Sequence, residues 1–465
     1  MLSTYGGRTN FPTIFEDMLF VSGVTTGWDQ TAIPAHRVFA LDKKSGAPIW
    51  TMSTRPRPED TTYSTPVFTI LNGQAAMVFG AADGAVYALQ PRTGKVIWKY
   101  QASPRGISVT PLIENGIVYC AHGEQNESDR TLPIGAMFAF DGNTTGDIPE
   151  NKLLWSIPGK TIGRSSPVKI GERVYFADDG GALIGINAKT GKVEVEKKLG
   201  RIMFGSPVVS EGKIYIGENT GRVYSLKPTE NGIDILGQTR LNDGSEVFGS
   251  IAIANGRLYL PTNKALFCIG KKEVKVEADP MPKQIAEAVS ADKTIAHIQL
   301  CPVEMLLSPG QPARLQVRAY NAAGQYLRLL PDAAITLEGG GAVNDELVYK
   351  APTETTSAGV FLTATSGDLK SVARARVIAS LPWKYDFEDK KVPSFWIGAA
   401  YRHQPIELPT GGNGLVKIST IPKGTRSQAF MGKPNLHDYT VQAEVYATDK
   451  KNKVPTTNLP DMGIV

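Results

Sequence analysis

Three arginines stand shortly before a recurring proline. Arg105 and Arg201 each stand six residues before the proline of a Thr-Pro or Ser-Pro pair, and Arg164 stands three before one. Guanidinium groups gathered around one concave space hold carboxylates by paired, charge-assisted hydrogen bonds. The spacing therefore marks Arg105, Arg164 and Arg201 as candidate partner-binding residues, for a protein loop or an acidic polysaccharide. Asp60 holds the same six-residue offset and Glu246 a similar place, so the set is mixed in sign and most basic in its middle.

Other chemistry is thin. The five histidines, His36, His122, His297, His403 and His437, are not at helical or metal-ligand spacing from one another. Asp178-Asp179-Gly180-Gly181 lacks the alternating oxygen ligands of a calcium loop and falls where a hairpin turn is needed. Asn126-Glu-Ser128 and Asn143-Thr-Thr145 fit the short glycosylation pattern. Cys120, Cys268 and Cys301 are far apart and read as small packed side chains, which leaves the redox compartment open. There is no Gly-x-Ser-x-Gly elbow, phosphate loop or Cys-x-x-Cys pair. No catalytic, metal or cofactor site is expected.

The elements that must position the arginines recur along the chain. From Gly84 to Trp98 an alternating run leads into a Thr-Gly turn, and a tryptophan follows four residues after the turn glycine. Copies stand at Phe39, Leu41, Gly46 and Trp50, at Phe138, Phe140, Gly146 and Trp155, and at Ile184, Ile186, Gly191 and Val195, with weaker ones near Tyr224 and Phe267. Each is preceded by Ser or Thr, Pro, an apolar run, a turn and a second alternating run: Thr65-Pro66, Thr110-Pro111, Ser166-Pro167, Ser206-Pro207 and a degenerate Ser250-Ile251. Alternation with period two is the mark of half-buried strands. Four strands per unit of roughly forty to fifty residues is the period of propeller blades, which bury both faces only by stacking around an axis. Six such units fit between Phe11 and Gly270, the sixth with three strands. In this reading Trp50, Trp98 and Trp155 dock one blade on the next. The segments before each Ser/Thr-Pro, with the arginines, ring one mouth of a central channel. Met1–Gly7 is a candidate to close the ring from the other terminus.

Fifty basic against forty-five acidic residues leave a net charge of +5 without basic blocks, which gives no support for nucleic-acid binding. No run approaches the roughly twenty apolar residues of a membrane span. Met1–Asn10 has no basic region followed by an apolar core, the chain opens inside a blade pattern, and Asp461–Val465 reads as the start of a strand. Both ends read as cut, so the missing leader leaves location open.

The alternation ending near Ala-Leu, the Thr-Gly turn and the tryptophan resemble the repeats of pyrroloquinoline-quinone-type propellers. That family includes quinoprotein alcohol dehydrogenases and non-catalytic proteins such as the lipoprotein of the outer-membrane β-barrel assembly machinery. The resemblance implies an all-β fold with residues 1–270 as a β-propeller, either a closed six-bladed ring or the larger part of an eight-bladed one. It also implies export to the periplasm or cell envelope. Its catalytic members clamp the quinone with a disulfide between adjacent cysteines and set a calcium ion beside it. No two cysteines here are neighbours and no calcium-site carboxylate matches, so the chain is expected to bind no quinone.

Residues 271–294, charged and with Pro280 and Pro282, read as a linker, with room for one or two helical turns from Lys283 to Ser290. Residues 295–380 show about seven short strands with close turns, the pattern of a β-sandwich, and resemble bacterial immunoglobulin-like domains. Residues 381–465, opening on Trp383 and Phe387-Glu388-Asp389, resemble part of a laminin-G or concanavalin-like jelly-roll. Some such folds stack sugars on aromatic rings, which makes Trp396 and Tyr401 candidates for glycan stacking.

Three functions follow from this reading. The first is a non-catalytic, exported β-propeller scaffold that binds protein or polysaccharide in the cell envelope. The alternatives are a pyrroloquinoline-quinone-dependent dehydrogenase and a glycan-binding protein acting through the jelly-roll.

Overall fold

A computed structural model describes residues 2–3, 11–271, 277–280, 285–354, 356–408, 411–418 and 429–444. The described chain is built almost wholly of antiparallel sheets. Blade one pairs Thr13–Phe15, Met18–Thr26, Ala35–Asp42 and Pro48–Pro56. Blade two follows with Val67–Leu71, Gln74–Gly80, Ala85–Leu89 and Val96–Gln101, and blade three with Leu112–Glu114, Ile117–His122, Ala136–Asp141 and Leu153–Pro158. Blade four runs Val168–Ile170, Arg173–Ala177, Ala182–Asn187 and Val193–Lys198; blade five runs Val208–Ser210, Lys213–Glu218, Arg222–Thr229 and Gly232–Arg240. Blade six has three strands, Ala252–Ala254, Arg257–Pro261 and Leu266–Ile269.

The repeat is visible at the level of register. In each of the first five blades the third and fourth strands slip at a matching point, between Ala40 and Leu41, Ala88 and Leu89, Ala139 and Phe140, Gly185 and Ile186, and Ser225 and Leu226, and blade one slips again between Ala35 and Arg37. Such a bulge increases the local twist and bends the outer strand. Neighbouring blades share apolar cores: one with two, two through four, four with five, and five with six.

Each indole at the repeat position spans a blade junction. Trp50 Nε1 donates to the Pro91 carbonyl at 2.9 Å, Trp98 Nε1 to Gly142 at 2.8 Å and Trp155 Nε1 to Ala188 at 3.0 Å. In every case the acceptor belongs to the next blade. The rings are 4 %, 0 % and 7 % exposed, respectively. A turn glycine receives the ring: a Cβ on Gly94 would lie 2.7 Å from Trp50, and its φ of +72° already favours glycine.

The serine and threonine before each proline join the blades at their inner edge. Thr65 N–H donates to Thr110 Oγ1 at 2.9 Å, Thr110 N–H to Ser166 Oγ at 3.1 Å, Ser166 N–H to Ser206 Oγ at 2.9 Å, and Ser206 N–H to Ser250 Oγ at 2.8 Å. Four hydroxyls thereby satisfy backbone donors at the start of inner strands.

Two expectations are corrected here. Leu2–Ser3 pairs with Thr25 and Thr26, so it widens blade one and adds nothing to blade six. Gly146–Asp147 does not form the blade-three hairpin turn but crosses back to lie parallel to Trp98 and Lys99 of blade two.

Beyond the blades, Ile285–Ser290 takes no helical form; Glu287 instead pairs with Arg92 at 2.6 Å and accepts the Ala75 N–H at 2.7 Å. The rest of the expected helical stretch, residues 283–284, lies outside the described residues. Residues 297–377 form three sheets around one core containing Leu300, Val317, Tyr349, Leu362 and Ala375. This body is fixed to blade one through an insertion. Trp28, 1 % exposed, donates its Nε1–H to Glu304, packs against Phe361 with the rings tilted at 37° and 5.6 Å apart, and lies under the Arg374 guanidinium at 4.6 Å. Arg374 in turn pairs with Glu304 at 2.6 Å. The described part of the last segment carries one two-stranded hairpin, His403–Glu407 with Asn413–Lys417, and a packed aromatic cluster.

Candidate functional site

The segments that cross from one blade to the next, together with the turns after the second strands, enclose a cleft of ≈320 Å³. Asp60, Thr61 and Tyr63 come from the crossing into blade two, Gly106 and Ser108 from that into blade three, Gly163 and Arg164 from that into blade four, and Phe204 from that into blade five. Glu124 and Asp179 reach it from the turns after the second strands of blades three and four.

Of the three candidate arginines, Arg164 lines the cleft, and Arg105 borders it through two of its acids. Arg105 pairs with Asp60 at 3.0 Å and reaches Glu124 at 3.7 Å. Arg164 lies 4.4 Å above the Phe204 ring and 6.0 Å from that of Tyr63. Phe204 then stacks on Phe248 at 6.2 Å and 18°. Arg201 does not line the cleft; it is exposed, and its N–H donates to Glu218 Oε1 at 3.2 Å. Three carboxylates, Asp60, Glu124 and Asp179, share the lining with Arg164. The expectation of three free guanidiniums converging on an anion is therefore corrected, because Arg105 is already committed to two acids.

The acids fall on a repeat position that the sequence reading passed over. Glu218 closes the second strand of its blade, Glu124 and Asp179 stand two residues after theirs and Asp83 three after its own. The turn role expected of Asp178-Asp179 belongs to Asp178, which accepts the Ala182 N–H at 2.7 Å, while Asp179 Oδ1 crosses to the Gly163 N–H at 3.0 Å. Asp83 is saturated by Tyr87 Oη at 2.8 Å and by the Ala85 and Arg55 amides at 3.3 and 3.4 Å. Burial disfavours the Glu218 charge, yet hydrogen bonds from Thr220 and Arg201 outweigh it and hold its pKa down. The two cleft acids behave differently. Burial raises Glu124, with Arg105 opposing and Asp60 and Asp179 adding to the rise. Burial also raises Asp179, against the Gly163 hydrogen bond and Arg164. Beneath them His122 is pushed down to about 4 by burial, so it is neutral while its Nδ1 accepts the Glu124 N–H at 3.3 Å.

The glycan candidates lie elsewhere. Trp396 is 7 % exposed, with Tyr385 and Phe387 edge-on at 4.8 and 6.0 Å, so it presents no open face to a sugar. Tyr401 is half-buried with the Arg57 guanidinium over its ring at 5.3 Å. Both aromatics belong to packing.

The residues present do not fit a quinone with its calcium ion. Among the described residues no three His, Cys, Asp or Glu side chains converge as a metal donor set. Cys120 and Cys301 are buried, Cys268 is exposed, and all three are free thiols.

The family model described as outer membrane protein assembly factor BamB matches residues 4–146 and 147–265. Quinoprotein ethanol dehydrogenase of Pseudomonas aeruginosa is 32 % identical over 172 residues, which is 34 % of this chain and 26 % of that protein. BamB of Legionella pneumophila is 24 % identical over 201 residues, 41 % of this chain and 47 % of that protein. BamB of Moranella endobia is 25 % identical over 232 residues, 47 % and 51 % of the two chains. The matched region thus spans about a quarter to a half of the length of these curated relatives. Among solved structures, BamB from Moraxella catarrhalis is similar with a TM-score of 0.41 and 19 % identity, over 55 % of this chain and 70 % of that one.

Proposed function

We propose a binding function from one premise: this chain belongs to the family of outer membrane protein assembly factor BamB. In this reading it is a non-catalytic β-propeller scaffold of the cell envelope that holds a protein partner at the mouth cleft. The observation that carries the reading is the construction of that cleft. Its walls are contributed by crossing segments of four successive blades, and the hydroxyl chain from Thr65 to Ser250 ties the same segments together. A rigid concave site with a few placed polar groups and an aromatic rim suits recognition of a protein segment. Its acidic groups, and the commitment of Arg105 to Asp60 and Glu124, favour a protein over an acidic polysaccharide. No helix among the described residues is long and apolar enough to cross a membrane. Export to the periplasmic side of the envelope remains part of the proposal.

The dehydrogenase relatives supply the competing reading. Equilibrium titration with pyrroloquinoline quinone and calcium, with dye reduction by a primary alcohol in parallel, decides between them. Neither a complex nor reduction is expected. A submicromolar complex or alcohol-dependent reduction overturns the scaffold reading.

A further inference from the structure

We infer that the mouth cleft takes one basic side chain, the ammonium or guanidinium of a lysine or arginine on an extended segment of the partner, between Asp60, Thr61, Glu124 and Asp179. This rests on the scaffold reading above and adds the chemistry of the partner.

Charge balance gives the first argument. Three carboxylates line the cleft, and two guanidiniums are near them. Arg105 is divided between Asp60 and Glu124, and its longer contact, 3.7 Å, is the one to Glu124. Arg164 lies against the Phe204 ring. Asp179 accepts one backbone N–H, at 3.0 Å. Asp83 and Glu218, at the ends of the second strands of blades two and five, each take donors from several groups. Among these four acids the deficit of donors falls on Glu124 and Asp179, the two that line the cleft.

A second observation is independent of charge. Thr61 lines the cleft and is only 4 % exposed, yet its Oγ1 has no hydrogen-bond partner. A buried hydroxyl without a partner is costly. An entering ammonium or guanidinium supplies N–H donors to this oxygen and to the carboxylates together, whereas an anion would meet three like charges.

Shape agrees with a single side chain. Gly106, Gly123 and Gly163 line the cleft without side chains; a Cβ on Gly163 would come within 2.6 Å of Asp179 Oδ2. Tyr63 and Phe204 at the rim offer apolar surface for the aliphatic stem, as long cationic side chains require. Burial raises both Glu124 and Asp179, and a cation beside them favours their charged forms.

The test titrates the full chain with a fluorescein-labelled, glycine- and serine-flanked peptide carrying one central lysine, alongside norleucine and glutamate versions. The lysine peptide is expected to bind at least about tenfold more tightly than the norleucine peptide, a difference of about 1.4 kcal/mol. Glu124→Gln and Asp179→Asn, singly and together, should weaken the lysine peptide without affecting the norleucine peptide, and Thr61→Val should weaken it less. Each variant is first matched to the parent by circular dichroism and melting temperature, and the single substitutions stand if the double one fails to fold. Equal binding of the three peptides, preference for glutamate, no lysine-peptide binding at millimolar concentration, or unchanged binding by the variants overturns the inference. With a negative quinone titration, such a result leaves the scaffold reading in place; a positive titration removes the reading itself.

Discussion

The Ser166 amide donates to the Ser206 hydroxyl at 2.9 Å across the junction of blades four and five. The Ser206 backbone amide donates to the Ser250 hydroxyl in the same way, so one residue closes one junction with its side chain and the next with its backbone. Ser206→Ala leaves the partly buried Ser166 N–H without its acceptor and is expected to cost about 1–3 kcal/mol. Ser206→Thr keeps the oxygen and should lose much less. Urea unfolding of both variants checks this.

Removing an indole at a blade junction should cost more than removing a hydroxyl. Trp98 is fully buried, meets Phe140 edge-on at 5.2 Å and donates to Gly142. Trp98→Ala should destabilise by about 3–5 kcal/mol. Trp98→Phe retains most of the apolar contact and loses the hydrogen bond, so an intermediate loss is expected in the same denaturant series.

Blades, tryptophans and Ser/Thr-Pro motifs were legible in the sequence because each depends on local alternation and a turn a few residues away. What they bond to was not. The Thr65 amide finds its acceptor at Thr110 and Trp98 finds its own at Gly142, each more than forty residues on. Arg105 read as a free cation because Asp60 and Glu124 become its neighbours only when blades two and three stack. Trp396 stood as a candidate for glycan stacking because nothing near it in sequence reveals that Tyr385 and Phe387 turn their edges to it. The missed signal was the acid at or shortly after the second strand in blades two to five, visible only when blades are compared with one another.

The contact of Trp28 with Glu304 and Arg374 should determine whether the propeller and the following β-body move as one. Trp28→Ala removes a buried anchor and leaves the Glu304–Arg374 pair facing a cavity. The expected result is faster proteolytic cleavage between residues 271 and 294 and a larger radius of gyration in solution scattering, with the blade core still folded. Unchanged scattering and cleavage would show that the remaining contacts suffice.

Stability should depend on pH through two buried histidines. Burial pushes both His36 and His122 from 6.5 to about 4. The unfolded chain therefore binds more protons than the folded one between those values, and stability rises with pH across that window. It is fully present above about pH 6.5 and is lost as pH falls toward 4, by on the order of 3 kcal/mol per histidine. Glu124 and Asp179, raised by burial, act in the opposite direction at the acid end, so the slope should be clearest between about pH 6.5 and 5. Urea midpoints at pH 7.5, 6.5, 5.5 and 5 test this, and His36→Asn with His122→Gln should flatten the dependence.

The central claim, that the mouth cleft is where this propeller holds a protein, is tested most directly by site-specific photocrosslinking. A benzophenone amino acid replaces Phe204 at the cleft or Val193, exposed on the outer strand of blade four, and each variant is irradiated with the envelope fraction of the organism that encodes it. The account predicts a discrete protein adduct from position 204 that is absent from position 193 and fades when Glu124→Gln and Asp179→Asn are added. Equal adducts from both positions, or an adduct from 193 alone, would contradict it.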